Sequence, residues 1–507
     1  MKLLVVVNNH NSFSVMEFCL SLRKYDDAVE VMVACDAELN AAHVEFFAKN
    51  KIQRMVFHLG TNGGGNKRQL SVVASAKQLE SQSRSRSKSQ RSDNLLGTVF
   101  SLLIDFALSS SLFYFLREQF IFYRLKRHKK HALEFIDKFK PDVVISISDR
   151  SHDYIEASTL WAAKQRGIKV LVPYVAQYDM DAALVYRMAK NGKPDRELRA
   201  FWPPSLYKII SYLRFKDQLY KGLFFQSPYV LNAHRRSGTL SAYPWWIGNG
   251  NSDVVCVDSG HTARKYLEHR VRSDKIVVVG HVTYDKVFFS YANRQSIKQA
   301  LMKKYSLASD KKLLILSMPQ YAEQGYMDWD QHWVEIDSTI KAVVSTNNNL
   351  LLSIHPRSDV RNYASLERKY QCRILEEPLS DVIGAADLFL ASNSTTFTWA
   401  ALCGIPGIAL MSPVPFLFSY LESLRPVSAS SDLTAEITNI LKSPAISFEP
   451  DWQQLSRNEV FDGKFQERFL RLLNNMRSVH RASLLPTEDS FSSAESHGER
   501  SEASSPG

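Results

Sequence analysis

The sequence predicts an α/β fold made of two open, parallel sheets, and three observations carry that expectation. Short apolar runs recur along the chain and alternate with helix-length stretches. The runs are nearly continuous in Val, Ile and Leu, as expected of parallel strands buried on both faces. They end in loops rich in Ser, Asn, Asp and His, where sheets of this kind bind ligands.

The elements follow in order. KLLVVV (2–7) reads as a first strand ending in Asn8-Asn9-His10-Asn11-Ser12, and not as a signal peptide, because its apolar run is short and no cleavage site follows. A helical stretch (13–24), a strand at 29–35, a helix near 40–49 and a strand near 53–58 continue the rhythm. Residues 60–94 (GTNGGGN, then SQSRSRSKSQRSD) read as a mobile basic loop, since few apolar side chains remain to be buried. No aromatic residues interleave the Arg/Ser run, so nucleic acid is not the expected partner.

Residues 95–135 form a hydrophobic helical segment, a helical insertion in the N-terminal half. It is rich in Leu and Phe and runs into Arg124, Lys126, Arg127, Lys129 and Lys130. Asp105, Arg117 and Glu118 break it below the length that spans a bilayer. Two readings stay open: a surface helix touching anionic lipid through 95–130, or a helical hairpin packed on the first domain. Strands are expected again in KFKPDVVISISD (138–149), IKVLVPYV (168–175), DVVCVDSG (253–260) and KIVVVGHVTYD (275–285). An aromatic, helical stretch (185–245) intervenes. A second domain then opens with KKLLILSMPQ and contributes five strands, ending at GIALMS (407–412).

The expected division is 1–285, an acceptor-side domain; 286–478, a nucleotide-binding domain; and 479–507, a Ser/Glu-rich disordered tail. A chain of 507 residues is too long for one core. Its net charge of +11 suits phosphate-bearing partners. Five scattered cysteines with no C-x-x-C spacing point away from disulfides or zinc and towards a reducing, cytoplasmic setting, free or on the inner face of a membrane.

The sharpest chemical signals lie in the second domain. Ser353-Ile354-His355-Pro356-Arg357 closes an apolar strand; a His there can bond a ribose or phosphate, and Arg357 can pair with phosphate oxygens. In ADLFLASNSTT a strand ends in Ser392, Asn393, Ser394 and Thr395, and a helix begins at once, which offers backbone N–H groups and a helix dipole to a phosphate. Gln320 and Glu323 follow the domain's first strand. Candidates for a base that takes an acceptor proton are His10, Asp149, His152, Asp153 and His261. Asp149 and His261 stand out, one at a strand end and the other in the strand–turn–helix Ser259-Gly260-His261. No Walker A motif, G-x-G-x-x-G, nucleophile elbow or metal cluster is present in the sequence.

The order strand–HPR followed by AADLFLASNSTTFTWAALCGIPGIAL resembles the C-terminal domain of GT-B-fold glycosyltransferases and of UDP-N-acetylglucosamine 2-epimerases. It is also similar to the His-Pro and Ser/Thr motifs of bacterial sialyltransferases, Kdo transferases and CDP-glycerol glycerophosphotransferases. KIVVVGHVTYD resembles the segment leading into their second domain. The resemblance covers roughly residues 250–475. It implies two Rossmann-like domains facing a cleft, a nucleotide-sugar donor of UDP or CMP/CDP type, and no metal or cofactor. His355 and Arg357 would take the nucleotide, and Ser392, Ser394 and Thr395 its phosphates. It implies transfer of the sugar to a glycan or lipid-linked acceptor in surface polysaccharide synthesis. The stretches SMPQYAEQG and SNSTTFTWA lack the His-Arg-Arg-Glu-Asn and Gln-Glu-Glu patterns of the epimerases, which argues against epimerisation. An epimerase, a CDP-polyol phosphotransferase or a non-catalytic scaffold on the same fold are the rival readings.

Overall fold

The computed structural model describes residues 1–7, 10–36, 47–50, 52–57, 111–150, 153–175, 180, 199, 205–356, 358–410, 416–427, 430–442 and 447–482. The basic loop 60–94, the first part of the hydrophobic segment, Arg357, His152 and nearly all of the C-terminal tail lie outside these residues.

The first sheet holds seven parallel strands: β1 (Lys2–Val7), β2 (Glu30–Asp36), β3 (Gln53–Phe57), β4 (Val143–Ser146), β5 (Lys169–Val172), β6 (Val254–Val257) and β7 (Ile276–Val278). Their order is β3-β2-β1-β4-β5-β6-β7. The second holds six: β8 (Leu313–Ser317), β9 (Asn349–Ser353), β10 (Arg373–Ile374), β11 (Leu388–Ala391), β12 (Gly407–Leu410) and β13 (Leu424–Val427), ordered β10-β9-β8-β11-β12-β13. Each sheet grows outward from its first strand and then reverses. The reversals, at β1/β4 and β8/β11, open a crevice at the carboxyl edge. This is the expected pair of Rossmann-like α/β domains.

The burial pattern explains why the strands read as continuous apolar runs. In β1, Leu3, Val5 and Val7 enter one core and Leu4 and Val6 the other. In β8, Leu313 and Ile315 face one side and Leu314 and Leu316 the other. Successive side chains point to opposite faces of a strand, and helices cover both.

The helical insertion includes one continuous helix, Ser111–Phe139, of 29 residues. Tyr114, Ile121, Leu125, Ala132, Ile136 and Phe139 form its buried stripe. It packs against the helices Tyr154–Gln165 and Pro228–Ser237. Among the described residues, no helix is long and apolar enough to cross a membrane.

The second domain has one strand more than the five expected. β13, with sequence LRPV, is short and carries Arg425 and Pro426. It lies at the sheet edge, where a proline is tolerated because one side of the strand needs no partner. The chain crosses between domains twice. After β7 it passes Gly280, and the helix Tyr284–Ala292 already places Tyr284 and Val287 in the second domain's core. The final helix, Phe465–Ala482, returns and buries Phe465, Phe469, Leu473 and Met476 in the first core. Arg468 ties the crossings together, donating from Nε to the Val279 carbonyl (3.3 Å) and from Nη2 to that of Val460 (3.0 Å).

Candidate functional site

A cavity of about 430 Å³ lies between the carboxyl edges of the two sheets. The first domain lines it with Pro173, Tyr174 and Val175 after β5, Asp258 after β6, and His281 to Tyr284 after β7. The second contributes His355 after β9, with Thr395, Thr398 and Trp399 after β11. Phe465 and Phe469 of the returning helix and Phe18 add an apolar floor. An apolar hollow with a few converging polar groups is the usual form of a small-molecule site.

Asp258 is the polar centre of the first-domain wall. It is buried, and its Oδ1 accepts from the hydroxyls of Ser259 (3.1 Å) and Thr262 (2.5 Å). Its Oδ2 accepts from Tyr284 (3.1 Å). Burial, then the Asp258 charge, raises the Tyr284 phenol well above its ordinary value, so it stays protonated and donates. Because Tyr284 belongs to the second core, this bond also joins the two domains.

His281 has a defined tautomer. Its Nε2 lies 3.1 Å from the Val175 carbonyl, which can only accept. The Thr283 backbone N–H, which can only donate, points at Nδ1 (3.2 Å). The proton therefore sits on Nε2, and Nδ1 presents its lone pair, 2.7 Å from the Thr283 hydroxyl. Burial lowers the affinity of this imidazole for a second proton, so it is held neutral.

The sequence-derived candidates fall into distinct groups. His355 and Thr395 meet at the same cavity. Ser392 and Ser394 stand beside them at the end of β11. The Ser394 hydroxyl accepts from the Thr396 N–H (3.3 Å) and lies 2.8 Å from the Thr396 hydroxyl, and the helix Thr396–Leu402 starts directly after Thr395, as the motif suggests. Gln320 follows β8 but is not among the residues that line the cavity. Its Nε2 donates to Ser358 Oγ (3.1 Å), and Ser358 and Tyr363 both donate to Glu323 (2.9 and 3.0 Å). Arg357 lies outside the described residues.

The two base candidates are engaged elsewhere. Asp149 is 3% exposed, and its carboxylate accepts from Gly248 N (2.8 Å), Gly250 N (2.9 Å) and Ser252 Oγ (2.5 Å). It pins the 248–252 loop and does not line the cavity. His261 lies in the seam between domains, stacked on Tyr420 with ring centroids 3.5 Å apart and planes at 13°. Burial, then the charges of Lys265 and Arg264, push its pKa down to about 4. Its helix start is tied to the other domain, since Gly260 N donates to Ser456 Oγ (2.9 Å). Asp153 caps a helix by accepting from Ile155 N (2.7 Å), and His10 begins the helix His10–Ser21.

Sequence reasoning passed over Asp258, Tyr284 and Thr398. The available signal was position. Asp258 directly ends β6, and Gly280-His281 ends the crossing strand, as ligand-facing residues of open α/β sheets do.

No family model matches the chain, and none of the curated proteins matches it. Among solved structures it is similar to the UDP-GlcNAc 2-epimerase from Neisseria meningitidis bound to UDP-GlcNAc, at 11% identity and a TM-score of 0.46 over 94% of this chain and 100% of that one. A glycosyltransferase from Rickettsia africae matches at 12% identity and a TM-score of 0.43, over 96% and 99%. The glycosyltransferase VinC in complex with dTDP matches at 9% identity and a TM-score of 0.48, over 94% and 100%. Likeness at this level carries no weight on the reaction or the substrate.

Proposed function

We propose that the chain binds a nucleotide-activated sugar in the cleft and transfers the sugar to a hydroxyl of a glycan or lipid-linked acceptor. The observation that carries this reading is the meeting of His355 and Thr395 in one cavity, opposite Asp258 and His281. His355 and the hydroxyls of Ser392, Ser394 and Thr395 hold the nucleotide's phosphates, and Arg357 pairs with their oxygens. Donors aimed at the leaving phosphate favour the transition state, where its charge develops.

The acceptor oxygen attacks the anomeric carbon, the bond from that carbon to the phosphate oxygen breaks, and the acceptor proton must leave. Neutral His281 supplies a base on the cavity wall. Its Nε2–H is anchored on a backbone carbonyl, so Nδ1 receives the proton through the Thr283 hydroxyl, which passes on its own proton as it takes the acceptor's. Domain closure over the cavity keeps water from the donor.

A thermal-shift screen of UDP, CMP, CDP and GDP sugars tests the reading. A ligand at a hundred times its dissociation constant stabilises by about 2.7 kcal/mol, a rise of several degrees for domains of this size. One sugar nucleotide is expected to give that rise, and His355→Ala to abolish it. A hit indifferent to His355→Ala contradicts the assignment. Epimerisation of UDP-N-acetylglucosamine without acceptor contradicts transfer.

A further inference from the structure

The structure carries an apolar face that the cleft does not use. Among the described residues, fifteen large hydrophobic side chains are exposed, and nine of these belong to two helices of the first domain. On Ser111–Phe139 they are Leu112, Phe115, Leu116, Phe120 and Tyr123. Their spacing places them on a single stripe. On Leu206–Phe215 they are Leu206, Ile209, Ile210 and Leu213, again one stripe.

The two helices begin side by side. Tyr207 N donates to Ser111 Oγ (3.3 Å), and the Tyr207 hydroxyl donates to Glu118 (2.6 Å). The Tyr114 and Tyr207 rings stack with centroids 5.5 Å apart. These contacts use the inward sides, so the outward stripes lie next to each other. Monomeric soluble proteins rarely leave so large an apolar area in water.

Charge identifies what covers it. The stripe on the long helix continues, beyond Tyr123, as exposed Lys126, Arg127 and Lys130. Arg214 and Lys216 end the second helix, also exposed. The apolar stretches 111–123 and 206–213 expose no carboxylate, since Glu118 is buried and bonded to Arg236 (2.8 Å); beyond them Glu134, 3.9 Å from Lys130, and Asp217 are outnumbered by the cations. Apolar side chains followed by a stretch with an excess of cations match the boundary between acyl chains and anionic headgroups. A protein partner with an apolar groove would not call for this excess of cations.

We propose that these two helices together dock the first domain on an anionic lipid bilayer. The apolar first turns of both helices enter the interface, and the basic residues lie at headgroup level. The lipid contact stands apart from the transferase reading. Only its consequence, that the acceptor is lipid-linked and not a free glycan, rests on that reading.

The test is flotation of the full chain with vesicles of phosphatidylcholine alone or with about 30 mol% phosphatidylglycerol, an anionic surface of the kind that attracts basic segments. The chain is expected to float with the anionic vesicles and at least about tenfold less with neutral ones or at high salt. The double variant Ile210→Glu/Leu213→Glu should weaken flotation at least about tenfold, as should Leu116→Glu/Phe120→Glu. Both pairs are exposed, so their melting temperatures should stay at the wild-type value, and any nucleotide-dependent shift should persist. Absence of flotation on anionic vesicles overturns the proposal. So does flotation unchanged by the Ile210/Leu213 pair, which would confine any lipid contact to the long helix. A lipid-free dimer dissolved by these variants also overturns it, by assigning the face to a second copy.

Discussion

Two aspartates at strand ends show how far a residue's type decides its role. Asp149 and Asp258 both follow apolar strands and both are buried. Asp149 is consumed by the 248–252 loop, whereas Asp258 faces the cavity. The local sequence does not separate them, because the partners of Asp149 lie about a hundred positions away. Asp149→Ala leaves several buried donors unpaired, each costing about 1–3 kcal/mol. A fall in melting temperature of roughly 5–15 °C is expected. An unchanged melt would show that the loop does not depend on this carboxylate.

His234 makes a pH-dependent contribution. It is 2% exposed, with Nδ1 2.8 Å from the Thr239 hydroxyl, and burial pushes its pKa down to about 4. The unfolded chain takes up a proton near pH 6.5, which the folded chain refuses until about pH 4. Its contribution, up to about 3 kcal/mol, is therefore present above pH 6.5 and lost as the pH falls towards 4. Denaturant titrations across this range should show His234→Gln with a shallower loss than wild type; parallel curves would contradict the assignment.

At the scale of elements, the parallel strands were legible because burial on both faces leaves runs such as KLLVVV and NLLLS with no polar interruption. β13 was not legible, since an edge strand of four residues can carry Arg425 and Pro426 and lose the pattern. The hydrophobic segment announced a helix but not its neighbour, Leu206–Phe215, whose exposed stripe pairs with it only in three dimensions. The turn Ser259-Gly260-His261 was legible as a helix start. Ser259 Oγ accepts from Thr262 N (3.2 Å) and is buried. Ser259→Ala should cost about 1–2 kcal/mol of stability, as loss of a capping serine does, while leaving any nucleotide-dependent thermal shift in place. Loss of that shift at full stability would instead make the 259–261 turn part of the binding site.

At the scale of the whole molecule, the cleft exists because the chain crosses between domains twice. The crossing after β7 brings His281 and Tyr284 to the cavity, and the returning helix brings Phe465 and Phe469. Tyr284 and Arg468 tie the two halves together at the level of the cavity. The second-domain motifs were legible as strand-end chemistry. The opposing wall was not, because it is assembled from the ends of β5, β6 and β7. The most direct measurement is amide hydrogen exchange of the full chain with and without the sugar nucleotide selected by thermal shift. Protection is predicted at 353–358 and 392–399 together, joined by 281–284 as the cleft closes on the sugar. Protection of only one second-domain loop, or of neither, would contradict a shared nucleotide grip by His355 and Thr395.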